Sequence, residues 1–214
     1  MSKKPAKDTS TTRAPGRPKA GTDQTSAYSS ILLTASRLFM EYGYEAVSLQ
    51  QIASLCKVTK ASIYYHFSSK PELFTIAITR MMAMGMEQTA LRLEESGTLH
   101  ERLVSVAVAK MQHSHVDTET MMREADAYLS PEQLAQIREA ENRIFDVLAT
   151  HFQREMDSGY LRQSNTLLLA QAFTSLLMLA NREDVRSMHE TIAELAQELV
   201  GLFLKGAVNQ TSQN

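Results

Sequence analysis

The segment Val58-Thr59-Lys60-Ala61-Ser62-Ile63-Tyr64-Tyr65-His66-Phe67-Ser68-Ser69-Lys70 concentrates groups that hydrogen-bond rather than react. If it coils into a helix, Ile63 and Phe67 share one side and can face a core. Thr59, Lys60, Ala61, Ser62 and Tyr64 then form an outward face of small, hydroxylated and basic groups. Such a face suits a DNA major groove: hydroxyls and lysine reach base edges, and small residues let the backbone approach. Tyr65 and His66 can donate to phosphates, which sets register rather than sequence. Lys70 and the free amides of the next helix start form a second phosphate site, because a helix N-terminus favours anions. No phosphate loop, HExxH string or nucleophile elbow occurs anywhere in the chain. An enzyme is therefore not expected, and neither is a cofactor. His113 and His115 lie near Asp117 and Glu119, but their spacing puts them on different faces of a helix, so no metal site is expected.

The elements that must position these groups are legible from their ends. A first helix is predicted from about Ala27 to Tyr42, with Ile31, Ala35, Leu38, Phe39 and Tyr42 on one face. Gly43 follows, where a left-handed cap is needed. Ser48 and Gln51 form a capping box for a short second helix, and Val47 with Ile52 has staple spacing. Thr59 is the predicted N-cap of the third helix, with Val58 and Ile63 as a second staple. Only Lys57 and Val58 separate the two helices, which is the signature of a helix-turn-helix. A further capping box, Ser69 with Glu72, opens a fourth helix.

In order and spacing, residues 28–78 resemble the DNA-binding region of the TetR family. The match runs through Ala35, Leu38, Phe39, Gly43 and Tyr44, then Val47-Ser48, Ile52-Ala53, and the segment from Lys57 to Leu73. The resemblance implies base or near-base contacts by Lys60, Ala61, Ser62 and Tyr64. It implies phosphate contacts by Ser48, Thr59, Tyr65, His66 and Lys70. Two departures stand out. Lys57 replaces the family's usual turn glycine; at positive φ it costs on the order of 1 kcal/mol, and it offers an extra phosphate contact. Ala61 replaces a second glycine and adds a methyl that suits a thymine methyl.

Charge divides the chain. Residues 1–70 carry ten Lys/Arg against four acids, a net +6; the remainder carries twelve against twenty, a net −8. A basic front on an acidic body points to a polyanion partner for the front. Residues 1–24 are polar and Pro/Gly-containing, and are expected as a disordered basic arm. Within it Arg17 and Lys19 support two readings, a minor-groove hook or a solubilising tail. With one cysteine, no signal-peptide core and no bilayer-length apolar run, a cytoplasmic protein without a membrane partner is expected.

The expected fold is all-α: an N-terminal three-helix DNA-binding domain with a helix-turn-helix, residues 25–72, and a larger helical domain, residues 73–208, with about nine helices in all and a tail at 209–214. Ser130-Pro131-Glu132-Gln133 opens a long helix that stops at Gly159. Two more helices are predicted between Met81 and Tyr128, and two at the end, about Thr166–Arg182 and Ser187–Lys205. The last two are apolar on more than one face: Leu168, Ala172, Leu176 and Leu179 with Leu169, Phe173, Leu177 and Ala180; and Ile192, Leu195, Leu199 and Leu202 with Ala196, Val200 and Phe203. A surface helix needs a single stripe, so the surplus predicts a homodimer through these two helices. Flexible methionines and aromatic rings are candidates to line a pocket for a small apolar effector: Met86, Met111, Met122, Tyr128, Phe145, Phe173 and Leu177. The expected function is a repressor that binds double-stranded DNA at a palindromic operator. An architectural or activating DNA binder without a small effector is the alternative.

Overall fold

The computed structural model describes residues 20–112 and 118–208. The chain folds as α1 (Ala20–Ala46), α2 (Leu49–Leu55), α3 (Lys60–His66), α4 (Lys70–Leu93), α5 (Leu99–Met111), α6 (Thr118–Asp126), α7 (Pro131–Asp157), α8 (Thr166–Leu177), α9 (Glu183–Arg186) and α10 (Ile192–Ala207). A 3-10 turn at Met178–Asn181 joins α8 to α9. Among the described residues there is no strand, only an isolated bridge between Leu161 and Val208. The all-α expectation holds.

Several ends differ from the sequence reading. Helix α1 begins at Ala20, inside the segment expected as an arm. The rest of that arm, with Arg17 and Lys19, lies outside the described residues, as do His113, His115 and Asp117 and the tail 209–214. Helix α8 stops at Leu177 and tightens to 3-10 geometry before Arg182, whose φ of −85° and ψ of 126° end the helical path. Helix α10 starts at Ile192 rather than Ser187, because Thr191 and Glu194 form a capping box there. Ser187 instead donates to the Asp184 carbonyl at 3.1 Å, closing α9.

Two apolar cores organise the molecule. The first joins α1 to α4 with α6 and the start of α7: Ile31, Phe39, Tyr44, Ile52, Ile63, Phe67 and Phe74 share it with Met121, Leu129 and Ile137. The second gathers α5, the end of α7, α8 and α10 around Leu103, Phe152, Phe173 and Leu199. The N-terminal helices therefore do not hang from the body as a separate bead. Their core continues into α6 and α7, and α4 runs from one core to the other.

Polar contacts tie the second core together. Arg102 on α5 pairs with Glu155 on α7 at 2.7 Å and donates to the Leu93 carbonyl at 2.9 Å, closing the C-terminal end of α4, where a cation is favoured. His151 is buried beside Glu94, which also takes Arg154 at 2.8 Å. Burial pushes the His151 imidazole below its ordinary value of 6.5, and Arg154 and Arg102 add to this against the pull of Glu94. A folded-state pKa below the unfolded one means the contribution is complete above 6.5 and is lost as pH falls through that lower value. The melting temperature is expected to fall as pH drops below about 6.5. A His151→Leu variant should flatten this limb in thermal melts; a wild-type slope in the variant would contradict the assignment.

Candidate nucleic-acid interface

The helix-turn-helix is built by its caps. Ser48 accepts from the Gln51 amide at 3.2 Å, and the Gln51 side chain accepts from the Ser48 amide at 2.7 Å. Thr59 accepts from the Ser62 amide at 3.1 Å and opens α3. Between them Lys57 has a φ of 55°, the left-handed conformation that favours glycine. The chain accepts this cost to turn within so short a span. Replacing Lys57 with glycine should stabilise the fold by up to about 1 kcal/mol, read as a higher denaturant midpoint. If the exposed Lys57 ammonium also grips a phosphate, the same variant should lower the salt slope of DNA binding by about 0.9 per reading head. An unchanged slope would remove Lys57 from the interface.

Helix α3 divides as its sequence predicts. Ile63 and Phe67 are 0% and 1% exposed, whereas Tyr64 and Tyr65 are 50% and 72% exposed. Two large tyrosines whose neighbours Ile63 and Phe67 are fully buried leave half or more of their own surface without a packing role. Lys57, Thr59, Lys60 and Ala61 are exposed with them, as is Ser48 at the start of α2. The Lys60 ammonium lies 5.8 Å from the Tyr64 ring centre, and the Thr59 and Ser62 hydroxyls are 2.9 Å apart. His66 is half-buried and touches two rings edge-on, Tyr28 at 5.7 Å and Tyr65 at 5.0 Å. Tyr28 also stacks on Phe67 at 5.2 Å. Sequence reasoning passed over Tyr28, although it sits one turn before Ile31 on α1.

The start of α4 departs from a full capping box. Ser69 accepts from the Glu72 amide at 3.2 Å, but the Glu72 carboxylate takes the amide and hydroxyl of Ser68 instead of closing on Ser69. Those two donors hold the Glu72 carboxyl below its ordinary range. Lys70 is half-buried. Its ammonium sits 4.2 Å from the Tyr44 ring centre and 3.5 Å from the Glu45 carbonyl. Burial lowers the Lys70 pKa, and Glu45 opposes this. Tyr44 packs against Phe39, Phe74 and Tyr128, and burial raises its hydroxyl pKa to about 12. Tyr44 and Glu45 were not among the candidate residues; no local pattern announces a pairing with Lys70.

The candidate effector residues do not converge on one place. Met111, Phe145, Phe173 and Leu177 belong to the second core, and Met122 packs against the first. Met86 lines a groove of about 380 Å³ between α4 and α7, together with Ile76, Arg80, Ala140 and Arg143. Tyr128 is exposed, and its hydroxyl donates to the Glu45 carboxylate at 3.1 Å. Among the described residues no group of His, Cys, Asp or Glu could hold a metal ion, and no helix is long and apolar enough to cross a membrane.

Residues 31–75 match the profile of the bacterial regulatory proteins of the tetR family. The chain is 37% identical over 59 residues to the Tn10 TetC protein of Escherichia coli, which covers 28% of this chain and 30% of that protein. It is 28% identical over 131 residues to the transcriptional activator FasR of Mycolicibacterium smegmatis, covering 60% of this chain and 59% of FasR. These sequence matches thus span less than two thirds of either relative. The crystal structure of AibR with isovaleryl coenzyme A and operator DNA superimposes with a TM-score of 0.60 at 26% identity, covering 82% of this chain and 97% of AibR.

Proposed function

We propose that this chain, a TetR-family transcriptional regulator, binds a palindromic operator as a dimer and is released from it by a small apolar ligand. One observation carries the DNA-binding reading: α3 turns Lys60, Ala61, Tyr64 and Tyr65 outward from a helix whose opposite side is fully buried. That helix is presented by a tight, capped turn from α2, the arrangement that seats a recognition helix in a major groove. Residues 25–72 act as the reading head and 73–208 as the sensing and dimerising body.

The dimer reading is supported by the outer face of α8. The chain buries Ala170, Phe173 and Leu177 itself, yet leaves Leu167, Leu168 and Ala172 exposed, with Leu202 of α10 exposed as well. A two-fold pair through α8 and α10 covers these groups and presents two recognition helices to one palindrome. The effector reading draws on AibR, whose structure was solved with both isovaleryl coenzyme A and operator DNA. By that likeness the ligand carries a short acyl chain, which would have to displace packing around Met111, Phe145, Phe173 and Leu177 of the second core.

A second reading, an activator or architectural binder without a small effector, is favoured by one observation: Phe173 and Leu177 are packed with at most 2% exposure, and the Met86 groove is open. Gel shifts on the DNA upstream of this chain's own gene, titrated with isovaleryl coenzyme A and with free fatty acids, separate the two. Release by any of these at fixed salt supports the ligand-released regulator. A stable complex that none of them disturbs supports the second reading.

A further inference from the structure

The turn between α6 and α7 meets the loop formed at the end of α1, where Gly43 breaks the helical path ahead of α2, next to a proposed phosphate contact. The Tyr128 hydroxyl donates to one Glu45 carboxylate oxygen at 3.1 Å, and its ring packs on Tyr44 at 5.2 Å between centres. The other face of this loop is also met by the body: the Glu124 carboxylate lies so close to Gly43 that a Cβ there would come within 2.7 Å of its oxygen. Gly43 has a φ of 82° and a ψ of 176°, a conformation open essentially to glycine alone. The loop is thus fixed in path and braced from the body at two points.

Lys70 sits on the same loop. Its ammonium rests on the Tyr44 ring and within 3.5 Å of the Glu45 main-chain carbonyl. The Glu45 side chain springs from that same residue, so its carboxylate has the reach to close an ion pair with Lys70. It does not do so: among the described residues no Lys70–Glu45 ion pair is formed, and the carboxylate, whose charge acts on Lys70 only from beyond ion-pair distance, accepts from Tyr128 instead. A ring face holds a cation without neutralising it. The arrangement therefore leaves the Lys70 charge available to an incoming anion.

We propose that Tyr128 is a positioning residue for the Lys70 phosphate contact: its hydroxyl keeps the Glu45 carboxylate off Lys70, and displacement of the α6–α7 turn releases Glu45 to cap Lys70 and weaken the grip on DNA. The inference rests on the DNA-binding reading above. It adds a route by which the body acts on the head without moving the recognition helix. Energy for the shift comes from any ligand that binds the displaced turn better than the seated one.

The test uses the full chain and a duplex operator, with affinity measured by fluorescence anisotropy across a salt series. Five proteins are compared: wild type, Lys70→Gln, Tyr128→Phe, Glu45→Gln and the Glu45→Gln/Tyr128→Phe double variant. Each phosphate contact contributes about 0.9 to the slope of log affinity against log salt. A dimer losing the contact in both heads should lose about 1.8 of slope. Tyr128→Phe is expected to reproduce the slope loss of Lys70→Gln and to weaken binding about tenfold to a hundredfold. The double variant should regain the wild-type slope, because a neutral amide in place of the Glu45 carboxylate cannot neutralise the ammonium. A merely structural role for Tyr128 would not be rescued by a change at Glu45. If Lys70→Gln is impaired but Tyr128→Phe is not, or if the double variant is not rescued, the positioning role is overturned while DNA binding stands. If Lys70→Gln itself keeps the wild-type slope, the phosphate contact fails and the inference fails with it.

Discussion

Tyr64→Ala is expected to weaken binding to the specific operator by about 30-fold to 10⁴-fold while leaving the fold intact. A good base-edge contact is worth roughly 1–3 kcal/mol, and a dimer makes the contact twice. Half of the Tyr64 surface is exposed, and the ring lies beside Lys60 rather than in the core. Truncation should therefore change folding stability by less than about 0.5 kcal/mol. The loss should also be selective. Affinity for unrelated duplex DNA should barely move, because that affinity comes from phosphates. Titrations on specific and random duplexes, with a parallel denaturant curve, check all three statements. An equal loss on both duplexes would move Tyr64 from base reading to phosphate contact.

Leu168→Glu is expected to split the dimer and, with it, operator binding. Leu168 is 60% exposed on the outer face of α8, so the single chain tolerates a carboxylate there. In a two-fold interface the same substitution places two desolvated like charges close together. Desolvating a charge in a protein costs several kcal/mol, which raises the dimer dissociation constant by about 100-fold or more. Sedimentation should report a monomer that melts with the helix content of the wild type. Operator affinity should fall further than for Tyr64→Ala, because each monomer can engage one half-site only. A dimer of unchanged stability would move the interface away from α8.

What the sequence disclosed follows from the range of the interactions involved. The capping residues Ser48, Thr59 and Ser130 act over three residues, so their spacing alone announced the helix starts. The strained turn at Lys57 was legible by another route, through the resemblance, which places a glycine where this chain has Lys57. The Ser69–Glu72 pair shows where local spacing gives out. Glu72 had a second acceptable donor set at Ser68, and the backbone ahead of the cap chose it. Helix α10 shows competition between two candidate starts, in which Thr191 with Glu194 prevailed over Ser187.

The contacts of Tyr128 were out of reach. Its bond to Glu45 joins residues far apart in sequence, and an isolated tyrosine before a helix start reads equally well as pocket lining. The same holds for the methionines. Helical spacing places Met111 and Met122 on inward faces, but it cannot say that they enter two different cores. The outward face of α3 was legible because one short helix carries most of it. The second core was not, because it is assembled from several helices whose mutual placement no local pattern encodes.

The claim on which the rest depends is that α3 reads DNA as one half of a symmetric pair. Selection of bound duplexes from a random pool, with the purified full chain, addresses it directly. The recovered sequences should converge on a palindrome whose half-sites lie one helical turn or more apart, and Tyr64→Ala should blur specific positions within each half-site. A pool that shows no enrichment, or a single unpaired motif, would contradict the account.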